Sequence, residues 1–137
     1  MIVEVPVSVG ELLDKLSILR IKMKNFTSEE RRANVRREHD ELARVADARS
    51  LRHGELENSL DEVNGRLWEI EDQLRVLEAG QDFGPEFIRL ARAVYFTNDE
   101  RAALKKKLNE HFGSTLVEEK EYVDYGRKGT APSGRSE

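Results

Sequence analysis

The sequence predicts an all-α fold, an up-down bundle of about four helices joined as long hairpins, with a short β-strand appendage from the chain ends. Two observations lead to this prediction. Apolar residues recur every three or four positions through most of the chain, and helix-capping residues stand at the borders of these segments. No repeat with a fixed period of about 20 to 50 residues is visible, so a solenoid is not expected.

Length and cysteine content limit the architecture further. The 137 residues fit a single domain, which we assign to residues 1–125. Residues 126–137 contain Gly, Ser, Pro and charged residues with little apolar content, and they are predicted to form a disordered tail. The chain has no cysteine, which excludes disulfides, Cys-based zinc sites and thiol nucleophiles.

The first expected elements are a short strand and a helix. Residues 2–7 are mostly β-branched, and an edge strand tolerates a proline such as Pro6. Ser8 and Glu11 then form a capping box, which predicts that a helix starts at Val9. Its apolar residues continue at helical spacing to about Asn25, and they are Leu12, Leu16, Leu19, Met23 and Phe26.

Two further helices are expected in the middle of the chain. Thr27 begins a second capping pattern, which predicts a weakly amphipathic helix to about Arg49. After a turn at residues 50–54, a third helix carries an apolar seam of about three heptads and ends at Gly80. The seam consists of Leu56, Leu60, Val63, Leu67, Ile70, Leu74 and Leu77. Such a seam faces the core of a bundle, or equally forms half of an intermolecular coiled coil.

The last expected helix begins at Gly84-Pro85, because proline is favoured at the first helical position, and it runs to Gly113. Thr97 begins another capping pattern inside this segment, so a break there is the alternative. We expect one continuous helix. Residues 116–125 are predicted to form a second short strand.

The charge pattern limits the partners. Charged residues make up 36% of the chain, and 23 Lys and Arg against 27 Asp and Glu leave a net charge of −4. Interspersed charges without a basic excess are typical of solvated helix faces and argue against nucleic-acid binding.

No segment approaches the roughly 18 apolar residues of a membrane span. The first residues lack the basic and apolar regions of a signal peptide, so we expect a cytoplasmic protein.

Two Glu-x-x-Asp pairs are candidate metal ligands, Glu11 with Asp14 and Glu69 with Asp72. Four carboxylates from two helices can hold Mg²⁺ against a nucleotide's phosphates, an arrangement that resembles the helical nucleotide pyrophosphohydrolases. However, Glu69 and Asp72 lie about 220° and 160° around the helix from Leu56, away from the core. A solvated surface is therefore favoured, and the Mg²⁺-dependent hydrolase is the alternative. No other cofactor is expected.

Thr97, Asn98 and Arg101 interrupt the apolar face of the fourth helix with groups that need partners when they are buried. One interpretation is a buried polar cluster that fixes the register of the bundle. The other is a pocket that binds a ligand or partner through Asn98 and Arg101. We take all three as candidate binding residues.

The first helix has apolar residues on two sides. With Leu12 as the reference, Ile21 lies near 180° and Ile18 near 240° around the helix. Either the helix is sandwiched within its own chain, or its second face meets another subunit. Since a two-fold contact is the commonest use of such a surface, we predict a homodimer with Ile18 and Ile21 at the contact.

Two segments resemble an uncharacterised bacterial family of short helical proteins, a domain of unknown function. They are VPVSVGELLDKLSILRIK at residues 5–22 and FIRLARAVYFTNDER at residues 87–101. The resemblance implies an all-helical bacterial protein and assigns no functional residue. It also suggests an accessory role in surface-glycan synthesis as a further alternative. The function that we expect is a helical interaction or structural module without catalytic activity that self-associates.

Overall fold

A computed structural model describes residues 1–125 of the chain. These residues form four helices, which are α1 Val9–Asn25, α2 Glu29–Ala48, α3 Gly54–Ala79 and α4 Pro85–Phe112. The all-α prediction is confirmed. The predicted tail, residues 126–137, lies outside the described residues. None of the helices in the described part of the chain is long and apolar enough to cross a membrane.

The predicted β-strand appendage is not shown by the described residues. Residues 2–7 form no strand, and residues 116–125 contain only a single bridge residue, Tyr122. Ile2, Val3 and Val5 are instead 76%, 72% and 66% exposed. β-branched residues favour an extended backbone, but a strand forms only where a second strand supplies hydrogen bonds. A two-stranded ribbon without further support is only marginally stable in water.

Local capping explains most helix borders. α1 starts where predicted, with Ser8 Oγ accepting a hydrogen bond from the Glu11 amide. The cap of α2 is Ser28, whose hydroxyl accepts from the Arg31 amide, so the predicted cap at Thr27 is one residue too early. α4 is continuous through Thr97, as predicted, and ends at Gly113, whose φ of 61° suits glycine.

α1 lies at the centre of the fold. It contacts each of the other three helices, whereas α2 contacts α1 alone, and α3 and α4 form an antiparallel hairpin. One cluster of buried side chains joins the helices, and it consists of Leu12, Leu13, Leu16, Ala46, Leu60 and Leu108. The sequence-predicted apolar face of α1 is therefore the core face.

The α3–α4 hairpin has a well-buried half and an exposed half. Phe26, just after α1, contacts Trp68 with ring centroids 6.2 Å apart, so α1 ends near the level of Trp68. Between residues 69 and 96 the only buried residue is Leu90. We call residues 69–96 the hairpin arm. It contains the distal half of α3, the connecting turn and the first half of α4.

Candidate binding site

Polar residues follow one face of α4 at intervals of four, where they meet α1. They are Thr97, Arg101, Lys105 and Asn109. Thr97 and Asn109 are each 4% exposed, and Lys105 is 8% exposed. Because residues four apart share a helix face, the spacing alone places all of them on one stripe.

Arg101 pairs with Asp14, the most deeply buried carboxylate of the described residues. Its Nε lies 3.1 Å from both carboxylate oxygens, and its Nη2 lies 2.5 Å from Oδ2. Asp14 is 1% exposed, and it also accepts a 2.9 Å hydrogen bond from Asn64 of α3. Asn64 donates to Ser17 of α1 as well, at 3.0 Å. The cluster therefore ties α1, α3 and α4 together with most of its polar atoms satisfied.

Lys105 lies one turn beyond Arg101 and joins two further carboxylates. Its ammonium is 2.8 Å from Glu11 of α1 and 2.7 Å from Glu118, which lies in the segment after α4. Burial lowers the pKa of Lys105, but the hydrogen bonds to Glu11 and Glu118 outweigh it and the pKa is raised overall. The hydrogen bond to Asp14 likewise raises the pKa of Arg101. Both side chains are therefore cationic at neutral pH.

The end of α4 also caps the start of α1. The Gly10 amide donates to Asn109 Oδ1 at 2.6 Å, and the Val9 amide donates to Ser114 Oγ at 3.2 Å. The first amides of a helix lack partners within the helix, so these contacts satisfy groups that would otherwise be buried and unpaired. The start of α1 and the end of α4 are thus joined by hydrogen bonds from backbone amides to side chains.

The predicted binding residues take different positions. Thr97 is buried on the polar stripe, whereas Asn98 and Arg101 line a cleft of about 290 Å³. Arg101 also pairs with the buried Asp14, which is the kind of contact that a buried polar cluster requires. The Asn98 side chain makes no hydrogen bond to any other residue in the range 1–125, so the cleft keeps a side-chain amide that can contact a ligand.

The four carboxylates of the hydrolase alternative do not form a site. Asp14 is bound to Arg101, and Glu69 and Asp72 are exposed on the hairpin arm, as their position on the helical wheel predicts. Among the described residues, no group of three or more His, Asp or Glu side chains could hold a metal ion. The geometry therefore offers no Mg²⁺ site that uses both Glu-x-x-Asp pairs.

Ile18 and Ile21 are both half-buried on α1. Because α1 contacts all three other helices, its second face lies at least partly within its own chain. Ile21 follows the buried Ser17 by four residues and continues the stripe that faces α3 and α4. Both side chains keep some exposed surface, so a subunit contact at Ile18 and Ile21 stays a prediction.

Several site residues were missed from the sequence although a signal existed for most of them. The interval of four from Thr97 to Arg101 continues to Lys105 and Asn109. Asn64 stands four residues after Leu60, which places an amide on the core stripe of α3. Glu118 had no comparable signal, since its position depends on the path of an irregular segment.

Comparison with known proteins identifies a family without assigning an activity. A family of unknown function (DUF6165) matches residues 1–135. No curated protein and no solved structure matches the chain. The match covers nearly the whole chain, so the helices, the polar cluster and the hairpin arm all lie within the region that the family shares.

Proposed function

The chain belongs to this family of unknown function, and we propose that it is a self-associating helical interaction module without catalytic activity. The hairpin arm is its contact surface.

The burial gradient along the seam of α3 is the observation that carries this proposal. Leu60 and Leu67 are 0% and 8% exposed where α1 covers the hairpin. Ile70, Leu74 and Leu77 continue the same seam in the hairpin arm but are only half-buried. The heptad pattern therefore extends beyond the helix that could bury it.

Exposed apolar residues surround this part of the seam. Val76, Phe83 and Ile88 are 71%, 53% and 56% exposed, and the rings of Phe83 and Phe87 form an edge-to-face pair at 5.2 Å. Two helices alone cannot fully bury the apolar side chains between them, because one side of each side chain stays exposed to water. A second layer of helices removes this apolar surface from water at about 25 cal/mol for each Å².

The charges of the hairpin arm favour a second copy of the same chain as the partner. The arm's α3 half carries four acids and one base, which are Glu69, Glu71, Asp72, Glu78 and Arg75. Its α4 half carries one acid and two bases, which are Glu86, Arg89 and Arg92. In a two-fold dimer each α3 can lie against the partner's α4, so the acidic half meets the basic half twice.

Light scattering after size exclusion tests this proposal at several protein concentrations. We expect a dimer for the natural chain and a monomer of unchanged helicity for Val76→Glu combined with Ile88→Glu. Both positions are exposed within one chain, so the substitutions should not disturb the monomer fold.

Val123→Glu is the matched control, since Val123 is 62% exposed but lies outside the hairpin arm. The proposal fails if the natural chain is monomeric at all concentrations. It also fails if Val123→Glu dissociates the dimer to the same extent as the double variant does.

A further inference from the structure

A small polar cleft lies between α4 and the segment that follows it. Its volume is about 290 Å³, and its lining residues are Glu11, Asn98, Arg101, Ala102, Lys105, Glu118 and Lys120. Three cationic groups therefore face two carboxylates. Asp14 does not line the cleft, because it is buried behind Arg101.

Glu118 lies between two of the cationic groups of the cleft. Its carboxylate bridges two ammonium groups, at 2.7 Å from Lys105 and 3.1 Å from Lys120. The hydrogen bond from Lys105, followed by that from Lys120, lowers the pKa of Glu118. The Glu118 side chain is nevertheless 41% exposed, and it belongs to a segment without helix or strand. An anion on an irregular segment is thus held at a position that water can reach.

The remaining donors of the cleft are available to a larger anion. Arg101 uses Nε and Nη2 on Asp14, and its Nη1 makes no hydrogen bond to any described residue. Asn98 likewise contributes a side-chain amide that no described residue engages. Lys105 is held in place on α4, with its side chain only 10% exposed. The cleft therefore presents two fixed cations, the half-buried ammonium of Lys120 and a side-chain amide.

We infer that this cleft binds the phosphate group of a phosphate monoester, which displaces Glu118 from Lys105 and Lys120 and adds contacts to Arg101 and Asn98. Once Glu118 leaves, three cations and Glu11 give the lining a charge of +2, and the buried Asp14 behind Arg101 reduces the charge around the cleft to +1. A phosphate monoester carries about −1.5 to −2 charges at pH 7 and three acceptor oxygens.

Competition with Glu118 explains why the ligand should be a dianion. Glu118 is tethered, and a short tether gives an effective concentration in the millimolar range. A simple carboxylate would only exchange one monoanion for another. A phosphate carries more negative charge and more acceptor oxygens than a carboxylate does, so it can replace the tethered carboxylate.

A wider cavity adjoins the cleft and can hold the organic part of the ester. It measures about 620 Å³ and shares Ala102, Lys105, Glu118 and Lys120 with the cleft. Ala103, Val117 and Tyr122 add apolar and aromatic surface to its wall. A phosphate in the cleft would therefore point its ester group toward a surface that can contact it.

The test is a nuclear magnetic resonance titration of the full chain with inorganic phosphate, glycerol 3-phosphate and acetate. We expect saturable shifts at Asn98 and Arg101 with both phosphates. Glu118→Gln removes the competing charge and should tighten phosphate binding about tenfold, since one charge no longer has to be displaced. Tighter binding of glycerol 3-phosphate than of inorganic phosphate would identify an ester as the ligand class, and equal binding would identify free phosphate.

Lys120→Met should weaken phosphate binding, and Lys107→Met is its control because Lys107 is exposed on α4 and lines neither cavity. The inference is overturned if Glu118→Gln binds phosphate no better than the natural chain does. It is also overturned if both lysine substitutions weaken binding equally, or if acetate binds as well as phosphate. Circular dichroism confirms that each variant is folded. None of these outcomes depends on self-association through the hairpin arm.

Discussion

Gly10 lies where the first turn of α1 crosses α4. A Cβ at this position would lie 2.6 Å from the Lys105 carbonyl oxygen and 3.0 Å from Asn109 Oδ1. The first of these atoms belongs to the backbone and cannot rotate away. The glycine therefore permits the close approach on which the Gly10–Asn109 hydrogen bond depends.

Gly10→Ala should destabilise the fold by about 1 to 3 kcal/mol, because the helices must separate to accept the methyl group. This is opposite to the helix propensity, which favours Ala over Gly by about 1 kcal/mol. Gly65→Ala is the matched control, since a Cβ there meets nothing within 4 Å and should stabilise α3. Urea denaturation measures both. A stabilising Gly10→Ala would contradict the close crossing.

Arg101→Ala leaves the buried Asp14 carboxylate without its main partner. We expect the free energy of unfolding to fall by about 3 kcal/mol, which is the lower end of the range for breaking a buried ion pair. The lower end applies because Lys105 still lies 3.9 Å from Asp14. Arg36→Ala is the control, since Arg36 is exposed on α2. Chemical denaturation of the two variants provides the comparison. Equal and negligible losses would show that Arg101 does not serve Asp14 in solution.

At the scale of the helix, the seam of α3 has a covered part and an uncovered part. Leu60→Ala should cost about 2 to 5 kcal/mol because Leu60 is fully buried. Leu74→Ala should cost less than about 2 kcal/mol in dilute solution, where the half-buried Leu74 has no partner chain. Glu69→Ala should be nearly silent. Denaturation at low protein concentration measures all three.

If Leu60→Ala and Leu74→Ala lower the free energy of unfolding of the monomer equally, the hairpin arm is covered within its own chain. The cost of Leu74→Ala should instead grow with protein concentration as the dimer forms.

The second face of α1 is tested by Ile18→Asp combined with Ile21→Lys. If the exposed parts of these side chains meet a second copy, the double variant is a folded monomer by light scattering and circular dichroism. This is the outcome that the predicted homodimer contact requires. Loss of helicity would assign both residues to the core of their own chain. Unchanged mass with native helicity would contradict both roles.

At the scale of the whole molecule, stability should be uneven. Of the buried apolar residues in the range 1–125, all but three lie in α1, the start of α3 and the end of α4, the exceptions being Val35, Ala46 and Leu90. We expect their amides to exchange with deuterium most slowly, whereas the hairpin arm exchanges faster in dilute solution. Protection of the arm should rise with protein concentration. Protection that is independent of concentration would argue against the arm as the contact surface.

The sequence by itself determined the helices and most of their ends. Ser8 caps α1, Pro85 opens α4 and Gly113 ends it, as predicted. These features depend on hydrogen bonds and backbone angles within about four residues, so the local sequence contains the required information. Even the error at α2, with Ser28 as the cap instead of Thr27, is a shift of one residue.

Only the tertiary structure decided which polar groups are buried and which apolar groups are not. Asp14 is enclosed because α1 crosses α3 and α4 there, and Glu118 reaches Lys105 because the segment after α4 folds back. The hairpin arm stays uncovered within the described chain because α1 ends near Trp68. Burial and strand pairing depend on residues that are far apart in sequence. The crossing of the helices brings those residues together, and the local periodicity of the sequence does not specify that crossing.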